Sequence, residues 1–194
     1  MARDRKIKSK KVVLASDHAG FKLKEEIKKF LIKKKEKVLD LGAENTSSVD
    51  YPDYAHLLSK KMRKDKNQFG ILICGSGTGM SLAANKHKNI RAALCYDIKS
   101  TKLSRLHNNA NVMTIGAMLT KKNVALKCVN TFLKTDFNGG RHSRRVKKYK
   151  TCMPKLNKYM SDNYQNFFDN DLSTTDPDLY SSIKLELERQ QQHI

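Results

Sequence analysis

The chain repeats one pattern: a short apolar run closed by Gly, Asp or Asn, then a longer segment whose apolar residues recur at helical spacing. The runs are "KVVLAS" from Lys11, "KVLDLG" from Lys37, "FGILIC" from Phe69, "IRAALCY" from Ile90 and "NVMTIG" from Asn111. The segments that follow are "FKLKEEIKKFLIKK", "YAHLLSKKMRKD", "MSLAANKH", "KSTKLSRLHN" and "TKKNVALKCVNTFLKT". Strands joined through helices lie parallel, because a tight turn cannot connect them. The pattern predicts a doubly wound α/β/α sandwich, whose ligands bind beyond the carboxyl ends of the strands.

With 194 residues the chain has room for one such domain and a tail. The expected division is a basic segment over 1–10, a domain over 11–160 and a polar, acidic tail over 161–194. In "FNGGRHSRRVKKYK" a glycine pair marks a turn, and a basic helix follows to about Tyr159. "SDNYQNFFDNDLSTTDPDLY" has little periodicity and reads as loosely ordered or packed on a neighbouring subunit, with a short helix in "SSIKLELERQQQHI". No stretch approaches the roughly 20 apolar residues of a membrane span. The basic start runs directly into "VVLAS" with no long apolar region, so a cytoplasmic location is expected. Cys74, Cys95, Cys128 and Cys152 are widely spaced, which suggests free thiols and neither a zinc site nor a disulfide framework.

The formal net charge of +20 invites a nucleic-acid reading. Residues 151–194 carry four Lys/Arg and seven Asp/Glu, so the rest of the chain holds a formal +23. Yet in "FKLKEEIKKFLIKKKEK" apolar residues at Phe21, Leu23, Ile27, Phe30 and Leu31 leave the other helix face to lysine. That face reads as solvated charge, and no nucleic-acid-binding motif accompanies it.

Two strand ends carry chemistry. The first presents Asp17 and His18 in "SDHAG"; the third presents Cys74, followed by "GSGTG". The glycines let backbone N–H groups converge, and a helix starting near Thr78 adds its positive end, so the loop suits an anion. It is not a dinucleotide fingerprint, because Met80 stands where the last glycine is needed, and the Lys-Ser/Thr of a nucleotide loop is missing. A thiol beside such amides is expected to ionise more readily and to serve as a nucleophile or base. From spacing alone, Cys74 reads equally as a small hydrophobe closing a buried strand. His107 and Asn108 precede the fifth strand, and "GGRHSRRV" supplies Arg141, His142 and Arg145. Arg141 and Arg145 would share a helix face suited to a phosphate dianion, or be ordinary surface charge. His56 and His87 read as helix-surface residues.

"SDHAG", "DYPDYA", "GILICGSGTGMSLAANK", "IRAALC", "LSRLHNNANV" and "GGRHSRRV" agree in order and separation with one family. From about Lys10 to Lys150 the chain resembles the ribose-5-phosphate isomerase B family, which includes the galactose-6-phosphate isomerase subunits. The resemblance implies a Rossmann-like three-layer sandwich on a five-stranded parallel sheet. It implies a homodimer or dimer of dimers with active sites at the subunit interface, and an isomerase needing no metal or organic cofactor. Carried over by position, Cys74 becomes the base that moves a proton between sugar carbons C2 and C1, with Ser76 assisting. The Gly75, Gly77, Thr78 and Gly79 stretch would hold the enediolate charge. Asp17 would bind sugar hydroxyls beside Tyr51, and His107 would help open the furanose ring. His18, Arg141 and Arg145 resemble the phosphate-binding set, with His142 a lesser contributor, and Asn108 would hold a hydroxyl or the enediolate oxygen.

The implied activity is interconversion of ribose 5-phosphate and ribulose 5-phosphate in the pentose phosphate pathway. A six-carbon sugar phosphate substrate, allose or galactose 6-phosphate, is the alternative, and a basic nucleic-acid-binding protein on an isomerase scaffold is a third reading. Galactose-type enzymes divide the site residues between two different subunits. This chain holds Asp17, Cys74, His107 and Arg141 together, which favours the pentose.

Overall fold

The computed structural model describes residues 9–64, 68–149 and 171–191. The chain divides into two units, Met1–Lys150 and Thr151–Ile194. Most of the basic segment over 1–10, the helix end expected near Tyr159 and the boundary expected at 160/161 lie outside the described residues.

In the first unit the strands are β1 (Lys11–Ser16), β2 (Lys37–Asp40), β3 (Gln68–Cys74), β4 (Ala92–Leu94) and β5 (Val112–Gly116). The helices are α1 (Phe21–Lys33), α2 (Tyr51–Lys64), α3 (Thr78–Asn85), α4 (Ile98–Asn108), α5 (Lys122–Lys134) and α6 (Arg141–Lys148). All strand pairs are parallel, in the order β2-β1-β3-β5-β4. This is the Rossmann-like sandwich expected from the sequence. β1 and β3, buried on both faces, match their predicted runs, whereas "IRAALCY" contributes only Ala92–Leu94 because it forms the sheet edge and pairs on one side.

Alternation along the strands sends side chains to two cores. Val12, Leu14, Ile71, Ile73, Met113 and Ile115 meet Leu23, Ile27 and Leu31 of α1 and Val129 and Phe132 of α5. Val13, Ala15, Leu72, Cys74 and Val112 meet Leu58 and Met62 of α2 and Met80 and Ala84 of α3. The chain leaves β1 toward β2 on one side and β3 lies on the other, so a crevice opens where β1 and β3 end. There α1 presses against the neighbouring strand. A Cβ on Gly20 would stand 2.4 Å from the Ile73 carbonyl oxygen, a contact only glycine permits.

Lys24 departs from the expectation of a solvated lysine face. Its side chain is 2% exposed, with Nζ 2.9 and 2.8 Å from the Asp40 oxygens and 3.0 Å from Glu25. Asp40 also accepts from Lys28 at 2.7 Å and from the Gly42 amide at 3.0 Å. Burial opposes ionisation of Asp40, but Lys24, Lys28 and the amide outweigh it and hold the carboxyl below its ordinary value. A depressed folded value stabilises above the unfolded carboxyl pKa, and the stabilisation is lost as pH falls through the folded one. Asp40→Asn is expected to cost about 2 kcal/mol at neutral pH, less than the roughly 3–5 kcal/mol of an orphaned buried charge because Glu25 remains. Urea unfolding should show this gap closing below about pH 4.

In the second unit, α7 (Leu172–Thr175) and the first turn of α8 (Pro177–Gln191) occupy sequence that suggested loose order, and the rest of α8 lies in the segment expected to hold a short helix. The Asp and Pro that broke the periodicity start these helices. Asp171 accepts from the Ser173 amide at 3.3 Å, Asp176 accepts from the Leu179 amide at 3.1 Å, and Pro177 is the first residue of α8. Among the described residues, no helix is long and apolar enough to cross a membrane.

Candidate active site

The ends of β1 and β3 gather most of the predicted residues. Asp17 is buried; its amide donates to the Ile73 carbonyl at 3.1 Å, and its Oδ1 accepts from the Gly20 amide at 2.8 Å. These bonds tie the turn after β1 to β3. Beside it, His18 Nδ1 lies 3.2 Å from the amide and the carbonyl of Val49. That contact draws in the segment leading to Tyr51, the first residue of α2, whose ring lies over Gly79 at the start of α3.

Cys74 closes β3 at 4% exposure, and its Sγ accepts the Gly77 N–H at 3.1 Å. The loop turns sharply at Gly77, with φ +79°, and a Cβ there would stand 2.8 Å from the Gly116 nitrogen and the Ile115 carbonyl carbon. Close docking on β5 is reinforced by bonds from Ala117 N–H to the Cys74 carbonyl at 2.8 Å and from Met118 N–H to the Gly75 carbonyl at 3.0 Å. Ser76 and Thr78 are exposed, and the Ser76 hydroxyl accepts the Thr78 amide at 3.3 Å. No side chain caps α3, so first-turn amides that lack helical partners face the loop. The arrangement can hold negative charge beside a sulfur atom. Burial pushes the Cys95 thiol up to about 11 and raises that of Cys128.

His107, Asn108, Arg141 and Arg145 stand elsewhere, contrary to the expectation that the site lies wholly at the carboxyl ends. α4 starts just past β4, where Asp97 Oδ1 accepts the Ser100 amide at 2.6 Å, and leads back to the start of β5. A crossover helix returns the chain to the amino edge of the sheet, so residues on its last turn lie there. The Asn138 amide donates to the Leu106 carbonyl at 3.1 Å and brings α6 against this end of α4. The His107 and His142 rings stack at 4.3 Å with a 7° tilt, and Asn108 Nδ2 donates to the Tyr149 hydroxyl at 2.7 Å. Arg141 and Arg145 are exposed on α6.

Arg105, unremarked in the sequence, anchors this second group. Its guanidinium lies 5.0 Å from the Phe69 ring centre and 5.5 Å from that of Phe132. It donates to the Thr135 carbonyl and Asn109 Oδ1, each at 3.1 Å, and to the Ala110 carbonyl. Tyr149 and the pairing of His56 Nδ1 with His87 Nε2 at 2.7 Å were also unforeseen, because each joins residues more than 30 positions apart that no local pattern links.

The Asp17–Cys74 group and the His107–Arg145 group thus occupy opposite edges of one sheet. Around the first, Leu82, Leu94, Tyr96, Ile98, Met118 and Leu119 are exposed, the last two at 78% and 72%. Apolar surface rimming a polar site is what a docking partner covers.

Residues 12–149 match the family described as Ribose/Galactose Isomerase. The chain is 46% identical to a ribose 5-phosphate isomerase of Thermotoga maritima whose crystal structure superimposes with a TM-score of 0.71, over 72% of this chain and 97% of that one. It is 39% identical to ribose-5-phosphate isomerase B of Mycoplasma genitalium, solved with bound ribulose-5-phosphate, with a TM-score of 0.71 over 80% and 99% of the two chains. The Escherichia coli protein named ribose-5-phosphate isomerase B is 39% identical over 137 residues, 71% of this chain and 92% of that protein. With the same sheet, nearly full coverage of each relative and a family match across the whole first unit, this chain belongs to the ribose/galactose isomerase family of enzymes.

Proposed function

We propose that this chain interconverts D-ribose 5-phosphate and D-ribulose 5-phosphate, with Cys74 as the base, as a step of the pentose phosphate pathway. The observation that carries this reading is the Cys74 sulfur, held at the strand end by the Gly77 amide beside the first turn of α3. His107 opens the furanose by taking the anomeric hydroxyl proton and delivering it to the ring oxygen as the bond between C1 and that oxygen breaks. The Cys74 thiolate then removes the C2 proton, and the electron pair moves into the C1 carbonyl to give an enediolate. Amides from Gly75 through Gly79 and the Ser76 hydroxyl stabilise that oxyanion as it forms. The thiol returns the proton to C1, and the O2 proton passes to O1, leaving the ketose. Asp17, Tyr51 and Asn108 hold hydroxyls, and His18, Arg141 and Arg145 hold the phosphate dianion.

These roles need the two groups of residues within one substrate's length, which the opposite edges of a single sheet do not allow. A second copy, docked on the exposed apolar rim, supplies its His107 edge to the Cys74 edge of the first. The proposed assembly is therefore a homodimer or a dimer of dimers. Purified protein with EDTA present is expected to form ketopentose from ribose 5-phosphate faster than it turns over allose 6-phosphate or galactose 6-phosphate. A preference for either hexose phosphate would overturn the pentose assignment, and no turnover of any of them would overturn the reading.

A further inference from the structure

His142 is a nearly buried imidazole, 9% exposed, lying face to face with His107 at 4.3 Å and 7°. Burial foremost, and then the charges of His107, Arg141 and Arg145, hold its proton affinity below that of an ordinary imidazole. The other charged groups near the pair are Arg144 on α6 and Arg105 on α4, the latter facing Asp136 in the connecting segment. A group so placed is a poor proton carrier and a poor partner for a dianion. It is, however, a flat surface, and the bond from the Asn138 amide to the Leu106 carbonyl holds the start of α6 against the end of α4, where the two rings meet.

Resting on the isomerase reading, we infer that His142 is a positioning residue, a flat ring on which the His107 ring keeps its orientation while it accepts and returns a proton. Two stacked imidazoles that competed for protons would titrate as a coupled pair. One that stays neutral leaves the other free to cycle. The ring contact and not the nitrogens of His142 does the work, so another flat neutral ring should replace it.

The test uses the full chain as wild type, His142→Phe and His142→Ala, followed by turnover of ribose 5-phosphate and by NMR titration of the histidine ring protons. His142→Phe is expected to keep kcat within about twofold, whereas His142→Ala, which frees the His107 ring, should lower kcat roughly ten- to a hundredfold with little change in KM. In the wild type, His142 should stay neutral to a lower pH than an ordinary imidazole. His142→Phe as impaired as His142→Ala, or a large rise in KM in both, would make His142 a proton donor or phosphate ligand and overturn the inference. If His142→Phe does not fold, a wild-type His142 midpoint at or above that of an ordinary imidazole, about 6.5, overturns it equally. The titration needs no turnover, so a protein inactive on ribose 5-phosphate would sink the isomerase reading while the ring stack is still measured.

Discussion

Cys74→Ala is expected to lower kcat by about three orders of magnitude, within the 10²–10⁴ range of a positioned acid or base, and to leave KM within a few-fold. The sulfur is one small atom at a buried strand end; its loss frees the Gly77 N–H, but the bonds that dock the loop on β5 run through the backbone of Cys74, Gly75, Ala117 and Met118. Its removal should therefore leave the loop, and the amides that receive the oxyanion, in place. The phosphate contacts assigned to His18, Arg141 and Arg145 are untouched, so ground-state binding persists. Steady-state kinetics on the variant, with Cys74→Ser as a second case, measures the split. A variant that kept even a tenth of wild-type kcat would move the base to another residue.

Coexpression of a Cys74→Ala chain with a His107→Ala chain is expected to recover about a quarter of wild-type activity from two inactive parents. Random pairing makes about half of the dimers mixed, and each mixed dimer has one site with both defects and one with neither. The prediction follows from the opposite placement of the two groups, since α4 returns His107 to the amino edge while β3 delivers Cys74 to the other. Were both residues of one chain to serve one site, every site in the mixture would lack one of them. Affinity purification through tags on both chains, followed by the ribose 5-phosphate assay, decides the matter. A mixed dimer with no activity would rule out the shared site.

The two halves of the site were not equally legible. Asp17, His18 and the Cys74 loop stand where an apolar run ends and glycine begins, a signal written in consecutive residues. His107, Asn108 and Arg141 could be named from the resemblance, but their place at the other edge follows from the direction of α4 between β4 and β5. Stack and tyrosine bond join residues 35 and 41 positions apart, His107 to His142 and Asn108 to Tyr149, and no periodicity marks such pairs. Helix starts slipped where proline misleads: α2 begins at Tyr51, ahead of the expected Tyr54, because Pro52 fits the first turn. The buried Lys24 was read as solvent-facing because lysine pattern alone cannot reveal a carboxylate arriving from β2.

Arg105 has a consequence for the order in which a newly made chain becomes competent. Its guanidinium is seated only when Phe69 of β3, the Ala110 carbonyl before β5, and Phe132 and Thr135 at the end of α5 have all arrived. His107 lies two positions further along the same helix. On the shared-site proposal, the half-site that a chain lends to its neighbour is complete only where these distant stretches have packed on Arg105. A copy lacking that packing would then have no His107 edge to lend, so a substitution far from the reacting atoms, at Phe69 or Phe132, would be felt in the neighbour's site.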